Sequence, residues 1–571
     1  MSVFSRFVPR WLKSYPRADL GADLAAGLIV GILVIPQSMA YALLAGLPPQ
    51  FGLIASILPP IAYALLGSSR VQLVGPVAVT SIMTYAVLSP LAAPQSPQYI
   101  ALAAALALFS GLLLLAGGLL RLGFLSQLLS RPVVSGFISG SAVLIVVSQL
   151  KYLFGIALAG GHGGAVVVDL LSRLDQAHGP TLAVSLIALA LLLACRLWLA
   201  AGLRRLGLGE SGAAFAVRLM PLLIVLLATF LTAEFDLDTR HGVAVVGAVA
   251  AGLPPPNFFV PGLDTVRALI VPAFLMALIG MVQNITMAQA LAIRRRERVD
   301  ANDELIGLGA ANAVAAFAGG MPVGGGLSRS AINVAAGARS PLSSIVASLL
   351  MIGVAAGGAG WFARLPLAVL AASIIMAAVP MIDLRALRRA WAYDRASALA
   401  LLGAAGGVLA FGLETGIGLG VMLSLATLLY RFSQPHMAVL GRIPGSEHFR
   451  NVERHAGETL PGALFLRIDE SLFFANLGAV EQRLKQELDR APGVRDLVLV
   501  MSAVNLMDAT AVEVFGELNQ ELAGRGIRLH LAEVKGPVQD RLQRSPLWPA
   551  LSGQVFLSAN AAFEALLNRT D

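Results

Sequence analysis

Charge is scarce in this sequence: only 13% of its 571 residues are Asp, Glu, Lys or Arg, against 57% hydrophobic. A water-soluble fold could not hide that much apolar surface, so a soluble globular protein is excluded. Cysteine is nearly absent. Cys195 stands alone within "LALLLACRLWLAAGL", which rules out an intrachain disulfide and reads as a small lipid- or protein-facing residue. No P-loop, metal-ligand spacing or nucleophile elbow occurs, so nothing points to an enzyme, a metal site or a bound cofactor.

What is present is a series of apolar runs. Crossing a bilayer as a helix takes roughly 20 apolar residues, and runs such as "LAAGLIVGILVIPQSMAYALLAG" and "YIALAAALALFSGLLLLAGGLL" recur along most of the chain. The basic, amphipathic lead-in 1–23 carries no small-residue cleavage site and is expected to be retained in the cytoplasm. Fourteen spans, some short, are expected to begin near residues 24, 50, 75, 98, 132, 178, 214, 265, 304, 327, 342, 362, 395 and 413. Arginines cluster after the even-numbered ones, at Arg70, Arg121, Arg131, Arg204, Arg205 and "RRRER" (294–298), as expected if those ends face the cytoplasm. Residues 440–571 hold 14 basic and 17 acidic residues, leaving 27 and 16 for the rest. The positive excess therefore lies in the membrane body and follows topology, not nucleic-acid binding. The tail reads as a cytoplasmic soluble domain. The expected divisions are an N-terminal segment 1–23, a membrane domain 24–433, a linker 434–459 and a tail domain 460–571.

Two segments break the apolar pattern. "VGPVAVTS" (74–81) and "GGGLSRSA" (324–331) are short and led by Gly or Pro, and they lie about 250 residues apart. Corresponding broken helices in two halves mark an inverted-repeat transporter, with spans one to seven repeated as eight to fourteen and the binding site near mid-membrane. Gly75 and Pro76 are expected to start one half-helix, with Pro76 in its first turn, and Gly324, Gly325 and Gly326 to lead the other, with Ser328 as cap. Helix N-termini expose unpaired N–H groups and partial positive charge, so two converging ones form an anion site. Arg329 would add a full charge there; the other readings are a carboxylate partner or snorkelling to the cytoplasmic face.

These residues carry a resemblance. "PQSMAYALLAGLPPQFGL", "GSSRVQLVGPVAVTS", the stretch from "DANDELIG" at 300 to "SPLS" at 343, and "ETGIGLGV" resemble the SulP sulfate permease family, bacterial relatives of the solute carrier 26 anion transporters. The resemblance implies fourteen spans in a seven-plus-seven inverted repeat. Spans one to four and eight to eleven form a core, and spans five to seven and twelve to fourteen a gate that dimerises. It further implies elevator-like alternating access and an inner-membrane, multi-pass location with both termini cytoplasmic. Carried over, the pocket uses Gln37, Tyr41, Val77, Ala78, Leu327, Ser328 and Arg329. Gln37 can donate to an oxyanion through its amide, and Tyr41, one turn on, supplies a ring wall. Many proton-coupled members carry a glutamate in span eight where "GMVQNITMA" puts Gln283, and an amide cannot titrate. Co-transport of H+ through that residue is thereby put in doubt, while Na+ on neutral oxygens such as Thr286 stays open. Asp300, Asp303 and Glu304 read as helix-capping acids.

The tail alternates strand-like runs ("ALFLRI", "LFFANL", "DLVLVMSAV", "IRLHLAEV") with helical stretches, an α/β pattern. Its "NLMDATAVEVF" resembles the STAS signature, with Ala509 where related antagonist proteins carry a phosphorylatable serine and Asp508 as the helix cap. A cytoplasmic regulatory protein is its expected partner. The whole reads as a secondary transporter of small oxyanions, sulfate being the family default and dicarboxylates, bicarbonate or chloride the alternatives. An uncoupled anion conductor, a nucleobase-type transporter and a membrane-anchored signalling protein are the competing classes.

Overall fold

The computed structural model describes residues 9–13, 15–127, 130–156, 163–207, 209–247, 249, 252 and 262–568. Parts of the expected lead-in and of the long segment after the seventh span lie outside them. The chain divides into two compact units, Met1–Ser424 and Leu425–Asp571.

The first unit is helical. Its main helices are α1 (Leu20–Leu44), α2 (Leu58–Leu66), α3 (Ala78–Leu88), α4 (Pro97–Leu119), α5 (Arg131–Phe154), α6 (Gly179–Ala194), α7 (Glu210–Glu234), α8 (Leu263–Arg295), α9 (Ala301–Phe317), α10 (Leu327–Ala335), α11 (Leu342–Gly353), α12 (Leu367–Ala378), α13 (Arg395–Phe411) and α14 (Leu413–Ser433, which runs past the end of this unit), with further helices, among them Gly163–Ser172 and Leu384–Tyr393, and short turns between them. Among the described residues six helices are long and apolar enough to cross a membrane, and further apolar helices are shorter. Local chemistry sets several starts. Ser96 accepts from the Tyr99 N–H ahead of Pro97, and the Asp300 carboxylate accepts from the N–H groups of Asn302 and Asp303 at the start of α9. Between α4 and α9, a Cβ added at Gly111 would lie 2.9 Å from the Gly309 carbonyl oxygen, so the absence of side chains is what lets these backbones approach.

Two short strands, β1 (Val74–Gly75) and β2 (Gly324–Gly325), pair antiparallel with Val74 opposite Gly325 and Gly75 opposite Gly324. Each is followed within three residues by its short helix, α3 or α10.

The second unit carries one sheet. β3 (Met437–Arg442), β4 (Phe449–Asn451), β5 (Ala463–Ile468), β6 (Asp496–Val500), β7 (Arg528–Ala532) and β8 (Val555–Phe556) stand in the order β4-β3-β5-β6-β7-β8. β5 to β8 are parallel, and β3 runs antiparallel to both β4 and β5. The helices α15 (Leu477–Arg490) and α16 (Ala509–Gly524) supply the first two crossovers, the short helices Gly536–Leu542 and Leu547–Ala550 the third, and α17 (Ala559–Leu567) follows β8. Three expectations need correcting. Residues 437–442 and 449–451, placed in a linker, are sheet strands, because Ala438, Leu440 and Phe449 have a buried apolar face to fill. The unit boundary falls inside α14, not at 433. "LFFANL" is not a strand: Leu472 makes a single bridge to Met507, and Asn476 turns the chain by accepting from the Phe473 N–H and donating to the Ser471 carbonyl.

Candidate functional site

The β1–β2 pair decides where the two broken helices begin. Gly75 is held extended opposite Gly324 and precedes Pro76, which itself disfavours a helical Gly75. The helix therefore starts only at Ala78, with Val77 as its extended N-cap. Pro76 lies ahead of the cap and outside the first turn where it was expected. On the other side the Gly326 N–H donates to the Leu73 carbonyl at 3.1 Å, and Gly326 is the extended N-cap of α10. Ser328 is thus the second helical residue, not the cap; the side chains of Leu327 and Ser328 lie outside the described residues. Neither N-cap residue supplies a side-chain hydrogen bond, so the first-turn amides of both helices lack the usual cap. The two starts adjoin: a Cβ on Gly326 would sit 3.3 Å from both Val77 Cγ1 and Arg329 Cδ.

Arg329, on the first turn of α10, is 3% exposed. Its Nη2 donates to Ser38 Oγ at 3.1 Å and its Nη1 reaches Ser56 Oγ at 3.4 Å. These hydroxyls are 2.9 Å apart, and each also donates along its own chain, Ser38 to the Val34 carbonyl and Ser56 to that of Gly52. Nε has no partner, and no carboxylate among the described residues pairs with the guanidinium. Gly75 makes room for it, since a Cβ there would fall 2.3 Å from Nη1. The guanidinium carbon stands 5.9 Å from the Tyr41 ring centroid, and the Tyr41 hydroxyl accepts from Gln37 Nε2 at 3.0 Å. A void of about 20 Å³ touches Arg329, Ser56 and Val74. A cavity of about 280 Å³ is lined by Gln37 and Tyr41 together with Pro36, Cys195, Arg196, Ile332 and Ser373.

The structure thus gathers Gln37, Tyr41, Val77, Gly75, Gly324, Gly326 and Arg329 around one crossing, with Ala78 opening α3 beside it. It does not bring in the candidate coupling positions: Gln283 is half-buried, Thr286 is exposed, and no hydrogen bond among the described residues ties either to Arg329. Their buried neighbour Asn284 bonds instead, accepting from Gln72 Nε2 at 2.5 Å and donating to Glu304 at 2.8 Å. The reading of Asp300 as cap agrees with its hydrogen bonds, whereas Glu304 is no exposed cap. It is fully buried and accepts from Tyr63, the Ser68 N–H and hydroxyl, the Ser69 N–H and Asn284. Capping acids sit at the exposed end of a helix, but Glu304, one turn in, faces the chain entering β1. Reasoning from sequence missed Ser38, adjacent to the quoted Gln37, and Ser56, which no local signal distinguishes from any other small residue in an apolar run.

Comparison with known proteins places this geometry. The sulfate permease family profile matches residues 20–404, and that of the STAS domain residues 456–562. A probable sulfate transporter of Mycobacterium tuberculosis strain H37Rv is 35% identical over 560 residues, covering 98% of this chain and 97% of that protein. The chloroplastic sulfate transporter 4.1 of Arabidopsis thaliana is 32% identical, over 94% of this chain and 78% of its own. Among solved structures, the murine solute carrier 26 family member A9 anion transporter superposes with a TM-score of 0.88 at 22% identity, over 100% of this chain and 95% of that one. The transmembrane domain of a cyanobacterium bicarbonate transporter gives 0.59 at 21% identity, over 72% and 98%. The fold is that of a helical membrane transporter followed by a C-terminal α/β STAS domain.

Proposed function

The chain belongs to the sulfate permease family, and on that premise we propose that it is a secondary transporter of small oxyanions, sulfate first among them. The anion is held where α3 and α10 begin, against Arg329, with Gln37 and Tyr41 closing one side and Val77, Ala78, Leu327 and Ser328 the other. The observation that carries this reading is Arg329 itself: a buried guanidinium with hydroxyl contacts, an unpartnered Nε and no carboxylate pairing among the described residues. A buried cation without a counter-charge is costly. An anion bound beside it, assisted by uncapped helix N-termini, removes that cost. The names of the relatives support anion transport, and those of the bicarbonate and solute carrier 26 structures keep bicarbonate and other small anions as alternatives.

In this reading α1 to α14 are fourteen spans in a seven-plus-seven inverted repeat, with β1 and β2 meeting at the pseudo-symmetric crossing. The core comprises α1 to α4 and α8 to α11, and the gate α5 to α7 and α12 to α14; an elevator movement of one against the other carries the site across the membrane. The protein works as a homodimer in a bacterial-type plasma membrane with both termini cytoplasmic, and the STAS domain, from about residue 434 onward, receives a cytoplasmic regulator. The Gln283 amide cannot titrate, so a coupled proton is carried elsewhere, while exchange, uncoupled uniport and Na+ coupling on neutral oxygens such as Thr286 stay open. Radiolabelled sulfate uptake into proteoliposomes, with and without a pH gradient and competed by fumarate, bicarbonate and chloride, tests the proposal. Saturable uptake competed by other oxyanions is expected; saturable transport of none of these anions would refute it.

A further inference from the structure

The helix of α6 does not end at Ala194. It passes through a π turn, Cys195–Leu199, before resuming as Ala200–Arg205. Such turns are rare, and they cluster at functional sites. Within it lies Arg196, the only charged residue from Gly179 to Leu203. A guanidinium in so apolar a helix is costly against lipid and belongs where water reaches it. Arg196 meets that condition, because it lines the cavity of about 280 Å³ that Gln37 and Tyr41 also line. Its Nη1 donates to the Met376 carbonyl in the last turn of α12 at 3.2 Å, which anchors the head group without neutralising it. No ion pair with a carboxylate among the described residues does so either. Apart from Ser373, the remaining described lining, such as Leu33, Ala40, Leu192 and Val225, is apolar, so the field of the Arg196 charge is focused into the cavity.

We infer that Arg196 is a second cationic contact for the transported anion, recruiting it into the cavity lined by Tyr41, whose ring lies 5.9 Å from the Arg329 guanidinium carbon. The inference rests on the transport reading above and deepens it. Arg196 belongs to the proposed gate and Arg329 to the proposed core, so movement of core against gate separates the two charges. The gate cation attracts the anion, and the core cation travels with it. Nothing in the local sequence pattern links residues 196 and 329; packing alone brings Arg196 to the cavity that α10 reaches through Ile332.

The lone cysteine provides the test, for Cys195 lines the same cavity next to Arg196. In the full-length chain in proteoliposomes, the rate of Cys195 modification is compared for a sulfonate-bearing and a trimethylammonium-bearing methanethiosulfonate, with Cys195→Ala as the background. The sulfonate reagent should react faster, and sulfate should slow it. Arg196→Ala should lower the sulfonate-to-ammonium rate ratio by on the order of tenfold, and Arg196→Lys should restore it. Sulfate KM should rise several-fold in Arg196→Ala with turnover changed less. A cysteine inert to both reagents, or a ratio that Arg196→Ala leaves unchanged, overturns the inference. The reading of the Arg329 site fails separately, if Arg329→Ala leaves sulfate KM unchanged and sulfate gives Cys195 no protection.

Discussion

Two of the charges buried in the first unit, Glu304 and Arg329, are treated in opposite ways. Glu304 is saturated: five donors from Tyr63, Ser68, Ser69 and Asn284 converge on one carboxylate, drawn from α2, the chain entering β1, and α8. Arg329 is unsaturated, with two serine hydroxyls, a distant ring and a bare Nε. Burial of a charge is tolerated when hydrogen bonds replace water. A group with all its bonds made inside the protein has a structural task; one with bonds left over has room for a ligand. Glu304, acting through Asn284 and Gln72, holds the strand that sets the site, and Arg329 is the part of that site left open.

The sharpest way to break this contrast is to remove Glu304. Glu304→Ala strands the converging donors and is expected to cost about 3 kcal/mol or more of stability, read as loss of monodisperse protein and a lowered Tm; a well-folded variant would mean that saturation is not structural. Arg329→Ala should do the reverse, leaving Tm unchanged or raised while weakening anion affinity by roughly 10- to 100-fold, measured by competition in uptake assays. Ser38→Ala sits between them: it deletes one hydroxyl that orients the guanidinium, for about 1 kcal/mol in KM with turnover preserved. Equal losses from all three substitutions would dissolve the distinction.

The second unit extends the comparison to carboxylates that have partners within it. Asp508 caps α16, accepting from the Ala511 N–H at 2.8 Å, and its Oδ2 also accepts from the Phe474 N–H. Asp508→Ala should cost about 1 kcal/mol in thermal unfolding and leave substrate choice alone. Asp496 gives the smallest effect. Burial pushes its carboxyl up, but the hydrogen bonds from Arg528 and His530 and their charges outweigh this and hold it below the usual carboxylate range. The folded form therefore gives up its proton more readily than the unfolded chain. The resulting stabilisation is present above about pH 4 and is lost as pH falls through the lower folded value. Asp496→Asn should flatten that acid limb in a Tm-against-pH series.

Much of this was legible before any coordinates. Apolar runs marked the helices, since a membrane span must satisfy its own backbone hydrogen bonds and so declares itself by length and composition. Gly and Pro in 74–76 and 324–326 marked the two interruptions, and Arg329 stood out as a charge in an apolar setting. The tail's alternation gave its α/β class, though not β3 and β4, whose half-buried pattern lacks a strong period. The helix starts were misplaced by a residue or two because the β1–β2 ladder, not capping propensity, decides them.

The sequence by itself therefore determined the helices, the broken pair and the order of domains, all properties of local composition and period. The tertiary structure alone decided what each charge faces. It brought Ser38 to Arg329 across 291 residues and Glu304 to Ser68 across 236, and it turned Arg196 into the cavity that Gln37 and Tyr41 line. The physical reason is that a hydrogen bond or a shared cavity depends on where distant helices pack, and no periodicity within one segment encodes the partner it will meet.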